Sequence, residues 1–181
     1  MSPDSDQPVL RLFLEPIEVD LLRAMVAELR LMVAGPPAGD DPLENWAAEL
    51  TAPELDYDDP AIRRLFPPAY AEAEREAEYR HLTEAGLRAT KEAEAALVAR
   101  ALESAQDRLY VAIPIDRRPA WLRTVNSLRL SLATRLGVVD EAAADRIDDL
   151  DPDDPRDALV QSYHWLGHLL ETILDTFADT P

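Results

Sequence analysis

The chain is 181 residues long, carries a net charge of −18, is 47% hydrophobic and contains no cysteine. That length suits one domain, which buries roughly 70% of its unfolded surface without a disulfide or metal staple. The absence of cysteine excludes thiol nucleophiles, disulfides and iron–sulfur ligation, and a field this negative repels phosphate backbones, so no nucleic-acid partner is expected.

Met1 to Asp6 has no basic residue and no apolar run behind it, unlike a secretory signal, and residues 1–8 read as a disordered tail. Val9 to Leu14 has the residue types of a short strand. Glu15-Pro16 then opens a helix, with Pro in the first turn where its missing N–H costs nothing. Leu22, Met25, Val26, Leu29, Met32 and Val33 share one face of it, and Gly35-Pro36-Pro37 stops it. Arg23, Glu28 and Arg30 interrupt this most apolar segment, so no membrane span is expected and the protein is placed in the cytoplasm.

Residues 36–60 are rich in Pro, Asp and Gly. Asp41-Pro42 and Asp59-Pro60 both combine an N-cap with a first-turn Pro, which predicts short helices at 42–50 and 60–65. From Ala69 to about Asp107 no Pro occurs, and a long helix is expected, bent near Gly86. Glu76/Arg80, Glu84/Arg88 and Arg88/Glu92 support it as opposite charges at i,i+4. Gly86, Ala89, Ala93 and Ala96 make a stripe of small residues that would let another helix approach closely.

Leu109 to Ile115 reads as a second strand, confined to an edge by Pro114. Asp116 is the expected cap of a helix whose Trp121, Val125, Leu128, Leu132 and Leu136 share a face and which ends at Gly137. Asp140 begins a short helix to about Asp149. Asp154-Pro155 is the expected cap of the last helix, with Leu159, Tyr163, Leu166, Leu170, Ile173 and Phe177 as its stripe. The fold class that follows is mainly α: a compact bundle of about four long helices plus short ones, with a minor two-stranded β-ribbon. One domain covers 9–178. A strand-then-helix unit occurs twice, near 9–34 and 109–136.

Charge is unevenly spread. Residues 1–60 hold 14 acids and 3 bases, residues 61–137 hold 10 and 13, and residues 138–181 hold 12 and 2. If the acidic ends fold back, Arg80, Arg88 and Arg129 meet carboxylates there. The residues singled out as a ligand-binding or structural ion-pair cluster are Arg80, Arg88, Asn126, Arg129 and Arg135. Trp165, off the main stripe of its helix, either meets a third helix or contacts a partner.

Other chemistry is poorly supported. His164, His168 and Glu171 have metal-ligand spacing but lie opposite the apolar stripe, and no fourth ligand is identifiable. Asp149-x-Asp151-x-Asp153 opens like a calcium loop but has Asp154 where Gly is needed and Val160 where Glu is needed. No Gly-rich phosphate loop or Gly-x-Ser-x-Gly elbow exists. No catalytic residue, cofactor or metal is therefore assigned.

Several segments together resemble an uncharacterised actinobacterial family, a domain of unknown function often encoded beside the adaptor of the Clp protease. They are Glu15-Pro16, Asp59 to Pro67, Tyr79 to Glu84 with Leu87-Arg88, Trp121 to Leu130 running on to Thr134–Gly137, and Tyr163 to Gly167, within about residues 9–177. His164 departs from the Tyr-Asp-Trp more usual in that family. The resemblance implies an all-helical cytoplasmic protein and no assigned activity. The expected function is a non-enzymatic interaction or regulatory protein with a protein partner, connected with regulated proteolysis. The alternatives are a small anionic-ligand-binding or enzymatic domain using the arginine cluster, and a homodimer joined through residues 86–96.

Overall fold

Six helices and two short strands carry the described residues, 8–34, 55–105, 110–151 and 153–175 of a computed structural model. Strand β1 (Val9–Leu12) pairs antiparallel with β2 (Val111–Pro114), placing Leu10 opposite Ile113 and Val9 opposite Pro114. The Ile115 N–H donates to the Pro8 carbonyl at 3.1 Å and adds one rung. In β2 the period of two turns Val111 and Ile113 into the core and leaves Ala112 and Pro114 on the other face. The ribbon is the expected one, with Phe13 and Leu14 beyond the end of its first strand.

Helix α1 (Pro16–Val33) hides Val19, Leu22, Val26, Leu29 and Val33, with Met25 and Met32 half-buried at the edge of that face. Glu18 closes its first turn by accepting from the Glu15 N–H at 2.7 Å. The helix expected at 42–50 lies outside the described residues. Helix α2 (Pro60–Leu65) is capped as its sequence predicts, the Asp59 carboxylate accepting from the Ala61 N–H at 2.7 Å.

Helix α3 (Ala73–Glu103) starts four residues later than expected. The Ala69 and Tyr70 N–H groups both donate to the Glu76 carboxylate, at 2.9 and 3.0 Å, so they form a turn ahead of the helix. The helix runs without interruption through Gly86. It packs antiparallel to α1, with Arg30 on Glu92 at 2.6 Å. Glu92 therefore serves α1 and not its expected i−4 partner Arg88. Of the small-residue stripe, only Ala96 is buried among the described residues. Gly86, Ala89 and Ala93 are exposed, and a Cβ built on Gly86 would meet nothing within 4 Å.

A 3₁₀ turn (Ile115–Arg117) precedes α4 (Arg118–Arg135). Asp116 is not the cap expected of it, because it sits inside that turn and pairs with Arg117 at 3.1 Å. Helix α4 is the centre of the fold and touches α1, α2, α3 and α6. Its predicted face is buried, and so are Ala120, Thr124, Ser127, Ser131 and Ala133, whose small side chains let neighbours approach on two sides. It ends at Gly137, where φ is +73°, with the Val138 N–H on the Ala133 carbonyl at 2.8 Å.

Helix α5 (Glu141–Asp148) is capped by Asp140, which accepts from the Ala143 N–H at 2.8 Å. Helix α6 (Asp157–Asp175) begins after its expected cap. Asp154 accepts from the Arg156 N–H at 2.8 Å and holds the Arg156 guanidinium, shaping a turn in front of the helix. Tyr163, Leu166 and Ile173 of the predicted stripe are buried against α4, while Phe177 lies outside the described residues. No described helix is long and apolar enough to cross a membrane.

Gly137→Ala is expected to lower stability by about 1–2 kcal/mol in urea unfolding, because a Cβ at that φ is strained even where space is free. Gly86→Ala, in an open helical position, is expected to raise it by up to about 1 kcal/mol.

Candidate functional site

The five residues of the predicted cluster do not converge. Arg80 and Arg88 lie on the first half of α3, whereas Arg129 sits between α4 and α6. Asn126 and Arg135 are exposed on α4.

Arg88 is 5% exposed. Its Nε donates to the Val33 carbonyl at 3.4 Å, its Nη2 donates to the Ala34 carbonyl, and its Nη1 faces Glu84 at 3.4 Å. It thereby closes the C-terminus of α1, where unsatisfied carbonyls and the helix dipole both favour a cation. Arg80 stacks on the Tyr57 ring, with its Cζ 3.6 Å from the centroid, and pairs with Glu76 at 2.5 Å. Its Nη1 is buried with no hydrogen-bond acceptor among the described residues.

Tyr57 links these arginines and was not singled out from the sequence. Its hydroxyl donates to Glu84 at 2.9 Å, so Glu84 receives both Tyr57 and Arg88. Burial, and then the hydrogen bond to the Glu84 carboxylate, push the Tyr57 pKa up to about 12. The only signal in the sequence was an aromatic residue between two aspartates just ahead of an N-cap. The whole group holds three segments together: the chain before α2, the first half of α3 and the end of α1.

Arg129 donates from Nη2 to the Tyr163 hydroxyl at 3.0 Å and lies over that ring, its Cζ 4.6 Å from the centroid. Its buried Nε has no acceptor among the described residues. Gly167 lies alongside it: a Cβ there would stand in ordinary contact, 3.6 Å from that Nε. Among the described residues, Arg80 and Arg88 pair with acids of their own helix and meet the first 60 residues through the Tyr57 ring and the Val33 and Ala34 carbonyls, while Arg129 meets a phenol. Carboxylates of the chain ends are used differently. The Trp165 indole N–H donates to Glu18 at 2.8 Å, joining α6 to the N-terminus of α1 and leaving the ring half-buried.

His164 pairs with Asp148 at 2.8 Å and His168 faces Glu171 at 3.6 Å. Among the described residues no group of three or more His, Asp or Glu stands close enough to hold a metal ion. Lys91 lies 5.6 Å from the Phe66 ring centroid. Burial holds its pKa below the usual lysine range, with Arg123 acting in the same direction and Glu94 against it.

One cavity, of about 360 Å³, lies away from all of these groups. The last turns of α3 line it with Leu97, Arg100, Ala101 and Ser104, and the ribbon side contributes Tyr110, Ala112 and Pro114. None of its polar residues was among those predicted, since they are far apart in sequence and share no motif.

Replacing Arg88 by Ala is expected to cost about 2–4 kcal/mol in thermal or urea unfolding, because it strands two carbonyls and a carboxylate. Arg88→Lys is expected to recover less than half of that loss, since one ammonium cannot span the three acceptors. Tyr57 is neutral when protonated, and its folded pKa lies above the usual value of about 10. Its contribution is therefore complete below pH ~10 and is lost as pH rises toward about 12. Subtracting the alkaline unfolding profile of Tyr57→Phe from that of the native chain is expected to isolate this fall.

No curated protein and no solved structure matches the chain. A protein-family model does match, over residues 1–177, and it is described as a domain of unknown function. The chain thus belongs to that family, DUF2017.

Proposed function

We propose that this protein is a non-enzymatic interaction or regulatory domain that presents an apolar flank of α1 to another protein. The observation that carries this reading is the exposure of Phe13 (69%), Ile17 (69%) and Leu21 (38%). Ile17 and Leu21 are one helical turn apart, and Glu18, between them in sequence, holds the Trp165 indole. Ile17 and Leu21, exposed on one helical turn near a half-buried tryptophan, have the usual chemistry of a protein contact, and Phe13, packed on Tyr110, lies just ahead of the helix. The buried arginines support the same reading from the other side. Arg88 is used on helix carbonyls and Glu84, and Arg80 on Glu76 and Tyr57, so both mainly tie segments of the fold together.

The finer reading is that the partner belongs to regulated proteolysis. It rests on the resemblance to a family often encoded beside the Clp adaptor. The competing account of the same apolar flank, and of the exposed 86–93 stripe, is a homodimer.

The test places a photo-crosslinking side chain at Ile17 in the native cell, with a control at the exposed Arg146 on α5. Capture of one discrete protein at Ile17, absent at Arg146 and abolished by Leu21→Glu with unchanged melting, is the expected result. Identical capture at both positions would sink the reading. A captured protein outside the protease machinery removes only the finer part, and a captured second copy with a dimer mass in light scattering replaces it with the homodimer.

A further inference from the structure

We propose that the cavity between the end of α3 and the β-ribbon binds a small organic anion, a compact apolar body bearing one carboxylate or phosphate head. This inference does not rest on the proposed α1 contact, although the Tyr110 wall of the cavity packs on Phe13, with ring centroids 5.9 Å apart. The cavity exists because its walls are short. Leu97 and Ala101 lie on the last turns of α3, and Ala105 follows in the turn after it. Opposite them, Ala112 and Pro114 are the residues of β2 that the strand's alternation turns away from the core. Three alanines and a proline thus leave about 360 Å³ of largely apolar space, within the range of small-molecule sites.

The polar groups are cationic. Arg100 and Arg117 both line the cavity. Arg100 is exposed and forms no ion pair among the described residues. Arg117 pairs with its neighbour Asp116 at 3.1 Å, with both side chains about half exposed (53% and 49%). Exposed pairs of that kind are weak, so the guanidinium can exchange its partner for a ligand's oxygens. A third guanidinium, Arg11, lies over the ring of Tyr110, 5.1 Å from its centroid, and Tyr110 is itself part of the wall.

Among the described residues, Asp116, Glu103 one turn along α3 from Arg100, and the C-terminus of α3, worth about half a charge, oppose an anion. The lining itself carries only the cations Arg100 and Arg117, with Arg11 behind the Tyr110 ring. The Ser104 hydroxyl donates to the Arg100 carbonyl at 2.9 Å, which leaves its oxygen as an acceptor toward the cavity and not as an anion donor. Recognition of the head therefore falls to Arg100 and Arg117, whose planar forks suit carboxylate and phosphate alike.

The test is a titration of the full-length chain with phenylacetate, phenyl phosphate and the neutral phenethyl alcohol, followed by amide chemical shifts. At least one anion is expected to give saturable shifts confined to residues 97–105 and 110–117, with Kd in the millimolar range or tighter. Whichever anion binds more tightly identifies the head group. The alcohol is expected to bind at least about tenfold more weakly, as is the anion to the Arg100→Gln, Arg117→Gln double variant. Both substitutions are at exposed positions, so unchanged melting checks the fold. Ala101→Phe, which fills the floor and leaves every charge in place, is expected to abolish the shifts. The proposal is overturned if neither anion saturates by about 10 mM, if the alcohol binds as well as the anions, or if the double variant keeps the native Kd.

Discussion

Guanidinium groups supplied by other elements close the ends of two helices and pin the loop after a third. Arg88 of α3 closes α1 through the Val33 and Ala34 carbonyls. Arg118, in the first turn of α4, donates to the Ile173 and Leu174 carbonyls near the end of α6 at 3.0 and 2.9 Å. Arg64 of α2 donates to the Val138 carbonyl just past α4 at 2.7 Å. A helix leaves its last carbonyls without intrahelical partners, and burying them unmet costs about 1–3 kcal/mol each. Meeting them from a neighbouring element satisfies the carbonyls and fixes the position of one element relative to another. Arginine suits this task because its rigid fork reaches two acceptors at once and keeps its charge at any pH.

With those ends pinned, α4 can be buried on most sides. Its neighbours reach it because Ala120, Thr124, Ser127, Ser131 and Ala133 are small, while Trp121, Val125, Leu128 and Leu132 fill the remaining space. Two ion pairs set α3 between its neighbours. Glu92 takes Arg30 of α1, and Glu94 takes Arg123 of α4 at 2.6 Å. The Trp165–Glu18 hydrogen bond then joins the last helix to the first. Glu18 serves twice there, closing α1 through one oxygen and receiving the indole on the other.

The same arrangement sorts the chemistry of the surface. Buried Arg88 and half-buried Arg118 hold helix ends together, whereas exposed Arg100 and Arg117 lie at the ribbon end, around the cavity. Apolar side chains follow a similar division: the regular stripes of α1, α4 and α6 are consumed by the core, and Phe13, Ile17, Leu31, Leu82 and Val139 are among those that remain outside it.

Local chemistry in the sequence determined the mainly helical class, the two short strands, and the ends marked by Pro16, Asp59, Asp140 and Gly137. Each of these depends on only a few neighbouring residues: a first-turn Pro, a capping carboxylate, a glycine free to adopt positive φ. Starts that depend on a distant acceptor were misplaced, as at Ala69, whose N–H is taken by Glu76 seven residues on. The apolar stripes were legible as well, because periodicity is a property of one helix. What only the tertiary structure decided was which charges meet. Arg80, Arg88 and Arg129 were recognisable as unusual, but Arg88 ends on the carbonyls of another helix and Arg129 on a phenol. A backbone carbonyl carries no sequence signature, and a phenol 34 residues away cannot be told from any other. The cavity was hidden for the same reason, since it consists of small residues on two elements brought together by packing rather than by any pattern along the chain.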